Sequence, residues 1–243
     1  MIKACLFDLD GTLLPMDTMK FAKIYLNALA SKTAHLINPE KLIKSIWQAT
    51  KAVIRNEEDH LTNEQVFERE FVRLTGIERE EIWPAFDDFY KHDFPNLSKY
   101  TQMSPLSRKV VETAIKHGYK VAVATNPIFP RMAILERLRW ANIDDLPFEW
   151  ITVYENSHYC KPNPKYYLSV AERVGVPPEE CVMIGNDMQE DMIASTVGMK
   201  TFLMTDYRID QGQPAYAVDQ EGSLQDLLES LRKQTGLFKK SFV

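Results

Sequence analysis

Carboxylates, a hydroxyl, an amide and one ammonium group follow short apolar segments at four places in the 243-residue chain. In chain order they are Asp8 and Asp10, then Thr125 and Asn126, then Lys161, then Asp187 with Asp191. Crowded carboxylates repel one another unless a cation joins them, and Mg²⁺ prefers hard oxygen ligands. A lysine and a hydroxyl suit phosphoryl oxygens, whose charge must be neutralised during transfer. Together these residues would form a phosphoryl-transfer centre.

A parallel sheet would bring these separated residues to one edge. The apolar run from Ile2 to Phe7 ends in a turn signal, which predicts a buried strand. Beyond about residue 103, helical segments alternate with short apolar runs, which favours an α/β core with helices on both faces of a parallel sheet. The predicted strands cover residues 119–124, 150–154, 181–184 and 201–204, and the predicted helices cover 107–117, 131–138, 165–174 and about 190–198, with a last helix after Ser223. Ligands bind beyond the carboxyl ends of such strands.

The segment from about Asp17 to about Tyr100 has helical periodicity instead. It predicts four amphipathic helices. The third begins near Thr62, because Thr62 and Gln65 have the spacing of a capping box. We therefore predict a core of residues 1–16 and 103–243 and a helical domain of residues 17–102. The aromatic residues of the insert are interpreted as its own core: Trp47, Phe71, Trp83, Phe86 and Phe89.

These residues resemble, in order, the four motifs of the haloacid dehalogenase (HAD) superfamily. The motifs are Asp8-x-Asp10-Gly11-Thr12, Thr125, Lys161 in Lys161-Pro162-x-Pro164, and Gly185-Asn186-Asp187 followed by Asp191. The resemblance extends from Met1 to about Met204. It implies a Rossmann-like parallel-sheet core, and the insert resembles the helical caps that cover the active site in this superfamily.

The resemblance also implies a role for each residue. Asp8 would attack phosphorus and form an aspartyl-phosphate. Asp10 would protonate the leaving oxygen and later activate the hydrolytic water. Thr125 would bind a phosphoryl oxygen, with Asn126 as a further substrate-binding residue. Lys161 would offset charge between nucleophile and phosphate and contribute to substrate binding.

Mg²⁺ is the cofactor that the resemblance implies. Its ligands would be a carboxylate oxygen of Asp8, the main-chain carbonyl of Asp10, and Asp187. Asn186 stands where many relatives carry an acid directly after the glycine. This difference leaves open which of Asp187 and Asp191 binds the metal. We favour Asp187 as the ligand and Asp191 as a residue that orients the ligands or replaces one of them.

A magnesium-dependent phosphatase acting on a small phosphorylated metabolite is the leading prediction. A phosphomutase would use the same Asp8 and Asp10 but return the phosphoryl group to the substrate, and the cap sequence does not decide between the two. A dehalogenase would need neither an acid at Asp10 nor magnesium. From another class, a non-catalytic binding or regulatory module is the alternative. The substrate, the pathway and the oligomeric state cannot be read from spacing alone.

Bulk composition limits the possible partners and locations. A net charge of −5 argues against nucleic acid as the main partner. The three cysteines lack redox or metal-ligand spacing and are interpreted as reduced thiols. No signal peptide is recognisable at the start, and no apolar run is long enough to span a bilayer, so no membrane partner and a cytoplasmic location are expected.

Overall fold

A six-stranded, all-parallel sheet forms the centre of the computed structural model, which describes residues 1–239. The strands are β1 Ala4–Phe7, β2 Lys120–Val123, β3 Trp150–Ile151, β4 Cys181–Gly185, β5 Lys200–Met204 and β6 Gln220–Gly222. They lie in the order β3-β2-β1-β4-β5-β6. β1 and β4 are buried along their whole length, which is why both are continuous apolar runs. The predicted α/β fold is confirmed.

Four helices complete the core: one precedes each of β2, β3 and β4, and one follows β6. They are α5 Pro105–Lys116, α6 Arg131–Trp140, α7 Pro164–Val174 and α8 Leu224–Lys233. Ser223 caps α8 through the expected reciprocal pair with Asp226. The helix predicted at about 190–198 is instead a short 3-10 helix, Met192–Val197, because the segment runs for only six residues before Gly198 adopts a left-handed conformation with φ 89°.

Two strands depart from the sequence prediction. β3 was expected to reach residue 154 but ends at Ile151, because the Asn156 side chain accepts from the N–H of Val153 and donates to the carbonyl of Ile151. These bonds turn the chain out of the sheet. β6 was not predicted, since Gln220–Gly222 is a short, polar edge strand with no apolar run to reveal it.

The insert between β1 and α5 is helical, as predicted. Its helices are α1 Thr18–Lys32, α2 Pro39–Ile54, α3 Asn63–Thr75 and α4 Arg79–His92, followed by a 3-10 helix, Phe94–Tyr100. Thr62 caps α3 with the full capping box to Gln65, which confirms that prediction. The assignment of residues 17–102 to a separate domain stays a prediction.

Apolar packing on the two faces of the sheet follows the alternation along β1. Ala4 and Leu6 join a cluster with α7, whereas Cys5 and Phe7 join a larger cluster that continues into the insert. The insert meets the core through aromatic contacts. The Phe94 ring stacks on that of Trp140 with centroids 5.0 Å apart.

Two further expectations concern the chain as a whole. All three cysteines are buried and unpaired in the described residues. Over residues 1–239, no helix has both the length and the apolar character needed to cross a bilayer.

Candidate active site

The carboxyl ends of three neighbouring strands, together with the segment that follows β3, bring the predicted residues together. β1 lies between β2 and β4, and Phe7 is in register with Val123 on one side and Ile184 on the other. The residues that follow these strands therefore lie side by side. All seven of the predicted residues line one cavity of about 740 Å³: Asp8, Asp10, Thr125, Asn126, Lys161, Asp187 and Asp191.

A buried ammonium group lies between two carboxylates at the base of this cavity. Nζ of Lys161 is 2.8 Å from Oδ1 of Asp8 and 2.5 Å from Oδ1 of Asp191. The Lys161 side chain is 1% exposed, and those of Asp8 and Asp191 are 10% and 2% exposed. Burial makes this charge cluster costly to assemble, and such clusters occur where function requires them.

One cation shared between two carboxylates leaves an excess of negative charge. Burial raises the pKa of Asp8 to about 8, Lys161 opposes this rise, and Asp191 adds to it. For Lys161, burial lowers the pKa, but Asp191 and Asp8 more than offset that effect and hold it well above its usual value. A further cation beside Asp8 would therefore be stabilised by the negative charge of the cluster.

Asp191 uses both of its carboxylate oxygens within the protein. Oδ1 accepts from Lys161, and Oδ2 accepts from the main-chain N–H of Asp187 at 3.0 Å. Its close approach depends on Gly185, because a Cβ at position 185 would overlap the Asp191 carboxylate. Asp191 thus positions Lys161 and the loop that carries Asp187.

Asn186 braces two loops beside the site. Its Oδ1 accepts from the hydroxyl of Thr12 at 3.2 Å, and its Nδ2 donates to the carbonyl of Tyr207 at 2.7 Å. It also packs on Gly11, where an added Cβ would lie 2.5 Å from Nδ2. An acid at this position could not donate to the Tyr207 carbonyl, which gives a physical reason for the departure from the commonest motif.

The donors implied for a metal fit Mg²⁺ in kind. The main-chain N–H groups of Gln189 and Glu190 donate to Oδ1 of Asp187, each at 2.8 Å. The hydrogen bonds that Lys161 donates to Asp8 and that these two N–H groups donate to Asp187 all fall on Oδ1 of the carboxylate. No group of three or more His, Cys, Asp or Glu side chains with metal-binding geometry occurs in residues 1–239. The implied set needs only two carboxylates and a carbonyl, which are hard oxygen donors.

The strand end at Thr125 is fixed by hydrogen bonds to its main chain. The carbonyl of Thr125 accepts from the hydroxyls of Thr152 and Tyr166, at 2.7 and 2.8 Å. Thr125 is 4% exposed and lines the cavity. The next residue, Asn126, donates to Oε2 of Glu190 at 3.0 Å.

Sequence reasoning missed Arg137, which contacts Asp10. Nη1 of Arg137 is 2.6 Å from Oδ2 of Asp10, and the side chain is 1% exposed. Its guanidinium lies over the Phe129 ring, 3.8 Å from the centroid. Nε and Nη2 have no hydrogen-bond partner within the described residues. Arg137 therefore fixes the Asp10 carboxylate through Nη1, and its Nε and Nη2 donors stay unpaired within the described residues.

A signal for Arg137 was present in the sequence. It follows Ala133 and Ile134 by four and three residues and precedes Trp140 by three, so the charge falls on the buried apolar face of α6. A charge at a core position needs a partner, and that requirement points to a carboxylate nearby.

The interpretation of the insert's aromatic residues was wrong in part. Phe71 and Phe89 are fully buried, as a core requires. Trp47 is 42% exposed and lines the cavity instead. Trp83 and Phe86 are buried and also form part of the cavity wall. Helical spacing shows which residues share a face, but it does not show whether that face meets another helix or a cavity.

Glu190 gives a prediction on the pH dependence of stability. Burial, only partly offset by Lys161, raises the pKa of Glu190 from 4.5 to about 7. Between these values the folded protein keeps a proton that the unfolded chain releases, so rising pH favours unfolding. In EDTA, the free energy of unfolding should fall over this interval less steeply in Glu190→Gln than in the natural protein. Urea titrations at a series of pH values measure this, with exposed Glu172→Gln as the control, and equal slopes would contradict it.

Comparison with known proteins places the chain in a family. The model of haloacid dehalogenase-like hydrolases matches residues 2–195, so the chain belongs to that family and is a hydrolase. The predicted resemblance is thereby confirmed.

Curated relatives match the chain along most of its length. The glyceraldehyde 3-phosphate phosphatase of Pyrococcus furiosus is 28% identical, over 98% of this chain and 97% of the relative. That of Methanopyrus kandleri is 27% identical, over 96% and 100%. The phosphoglycolate phosphatase of Xylella fastidiosa is 26% identical, over 87% and 84%. These three relatives are named as phosphatases.

Solved structures share the fold. A HAD phosphatase from Thermococcus onnurineus has a TM-score of 0.59 and 23% identity, covering 95% of this chain and 98% of its own. An L-2-haloacid dehalogenase from Xanthobacter autotrophicus has a TM-score of 0.59 and 18% identity, covering 97% and 100%. One architecture thus supports both phosphatases and dehalogenases, and the residues of the site must decide the chemistry.

Proposed function

We propose that the protein is a magnesium-dependent phosphatase that hydrolyses a small phosphorylated molecule through an aspartyl-phosphate on Asp8. The observation that carries this proposal is the buried Lys161 ammonium, 2.8 Å from Asp8 and 2.5 Å from Asp191, at the base of a cavity. A nucleophilic carboxylate beside a fixed cation suits attack on a phosphoryl group. The names of the curated relatives support phosphate release.

The residues divide the reaction between them. Oδ2 of Asp8 attacks phosphorus, and the bond from phosphorus to the substrate oxygen breaks. Asp10 protonates that leaving oxygen, then takes a proton from the water that attacks the aspartyl-phosphate and frees Asp8 and phosphate. Lys161 and the hydroxyl of Thr125 stabilise the phosphoryl oxygens. Arg137 holds Oδ2 of Asp10 at 2.6 Å, whereas Oδ1 of Asp10 has no hydrogen-bond partner within the described residues, so Oδ1 is the oxygen that would transfer the proton.

The metal would be held by Asp8, the carbonyl of Asp10, and Asp187. When bound, Mg²⁺ neutralises charge on the phosphoryl group and on Asp8. Asp191 is assigned to positioning Lys161 and the Asp187 loop, since both of its oxygens accept hydrogen bonds within the protein. This assignment favours Asp187 over Asp191 as the ligand.

Metal dependence is the direct test of the proposed function. Phosphate release should require Mg²⁺ and stop in EDTA. The variant Asp187→Asn should need about 10–100-fold more Mg²⁺ for half-maximal rate, because it loses a charged ligand. Exposed Asp59→Asn, with a side chain 83% exposed, is the control and should match the natural protein. Full activity in EDTA would rule out the metal, and absence of phosphate release from every phosphoester tested would rule out the phosphatase.

A further inference from the structure

The cavity above Asp8 continues far into the helical insert. Its volume of about 740 Å³ lies in the range of pockets that enclose drug-sized ligands. Helices α1, α2, α3 and α4 all contribute to its wall. A three-carbon phosphate would occupy the catalytic end and leave most of this space unfilled.

The insert side of the cavity is apolar and rich in aromatic rings. Trp47 is 42% exposed, although burial of such a large side chain is strongly favourable. Trp83 packs edge-on against Phe67, with centroids 6.3 Å apart, and both line the cavity. Leu29 and Ile46 extend the same wall. A ligand with an apolar body would cover this surface and release the water in contact with it.

The insert side offers no cation to a second anionic group. Of the cavity-lining residues from 18 to 100, all of which the structure describes, none is Lys or Arg. Asp87 gives that wall a negative charge. A carboxylate or second phosphate directed toward the insert would be desolvated there without a partner, which is unfavourable.

The cations that line the cavity come from the core. Lys161 is shared by two carboxylates, and Arg137 contacts Asp10 through Nη1, so both lie among the proposed catalytic residues. Arg208 is 3.0 Å from Asp210. The positive charge is therefore concentrated at the catalytic end, where one phosphoryl group would bind.

We propose that the substrate is a phosphate monoester with one anionic group, the phosphoryl group itself, attached to a predominantly apolar body of at least ring size. The insert wall binds that body and selects against substrates with a carboxylate or a second phosphate. This inference rests on the proposed phosphatase activity and narrows its substrate class. It also disfavours a phosphomutase that passes through a bisphosphate, because the second phosphate would face the insert wall.

Substrate preference tests the inference directly. With Mg²⁺, kcat/KM should be at least about tenfold higher for 1-naphthyl phosphate than for 2-phosphoglycolate, since an unpaired charge in an apolar pocket is discriminated strongly. Glyceraldehyde 3-phosphate, which has no second anionic group but a small body, should fall between the two. Preference for 2-phosphoglycolate would overturn the inference and leave the phosphatase intact, whereas no hydrolysis of any of the three would count against the phosphatase itself.

Two variants locate the preference in the insert wall. Ala22→Phe fills part of the cavity and should lower kcat/KM for 1-naphthyl phosphate more than for 2-phosphoglycolate. Asn27→Phe adds the same ring to the exposed face of α1, outside the cavity, and should change neither. Trp47→Lys, at an exposed position that tolerates the change, adds a cation to the wall and should raise the preference for 2-phosphoglycolate severalfold. Unchanged substrate ratios in both Ala22→Phe and Trp47→Lys would overturn the role of the wall.

Discussion

Replacement of Asp8 by asparagine should lower kcat for phosphate release by at least about 10³-fold, as expected for loss of a nucleophile. The amide has nearly the same shape as the carboxylate but cannot form the acyl phosphate. Burial raises the pKa of Asp8 to about 8, so its charged form is disfavoured in the folded protein. The variant should therefore unfold in urea at no lower concentration than the natural protein at pH 8, which separates chemistry from folding.

A companion variant makes the intermediate visible. Asp10→Asn should slow hydrolysis of the aspartyl-phosphate, because the residue that activates water is lost. Protein quenched during turnover should then carry the mass of one phosphoryl group on the peptide that contains Asp8. The double variant Asp8→Asn/Asp10→Asn should carry none. Phosphorylation of another residue, or undiminished turnover by Asp8→Asn, would contradict the proposed nucleophile.

Replacement of Lys161 by methionine should impair both stability and activity. Asp8 and Asp191 would lose the cation they share at 2.8 and 2.5 Å. Removing one partner from a buried ionic cluster costs about 3–5 kcal/mol of folding free energy. Activity should fall at least about 10²-fold, because phosphoryl charge is no longer offset. Urea unfolding in EDTA and phosphate-release kinetics measure the two effects.

Lys165→Met is the matched control for this variant. Lys165 lies four residues further on, is 52% exposed and pairs with exposed Glu57 at 2.8 Å. An exposed pair contributes at most about 1 kcal/mol, and its loss should leave turnover unchanged. If Lys161→Met and Lys165→Met lowered the free energy of unfolding equally, the expected cost of removing Lys161 from its buried carboxylate partners would be contradicted.

The sequence predicted the strands that carry the site because their signals are local. A buried parallel strand is an apolar run. β1 and β4 end directly before a polar residue, and one alanine separates the end of β2 from Thr125. Capping boxes likewise depend on residues three apart, which is why Thr62 and Ser223 could be recognised. The variants described above test the catalytic roles assigned to the residues that follow these strands.

Features that depend on distant contacts could not be predicted. Arg137 meets Asp10 across 127 positions of the chain, and the hydrogen bond from Thr12 to Asn186 spans 174. β3 ended early because of the Asn156 side chain, although its apolar run continued to Tyr154. The role of Trp47 depends on what faces α2. In each case tertiary packing determines which groups are in contact, and the spacing of residues along the chain does not predict those contacts.

The hydrogen bond from Asn186 links the residue type at position 186 to the conformation of the loop that carries Tyr207. Tyr207, whose carbonyl accepts from the Asn186 amide, adopts a left-handed conformation with φ 54°. An acid at position 186 would set a carboxylate oxygen against that carbonyl, and the loop would have to reorganise before the acid could be tolerated. We therefore expect that a change from amide to acid at position 186 requires a compensating change in the Tyr207 loop, some twenty residues away.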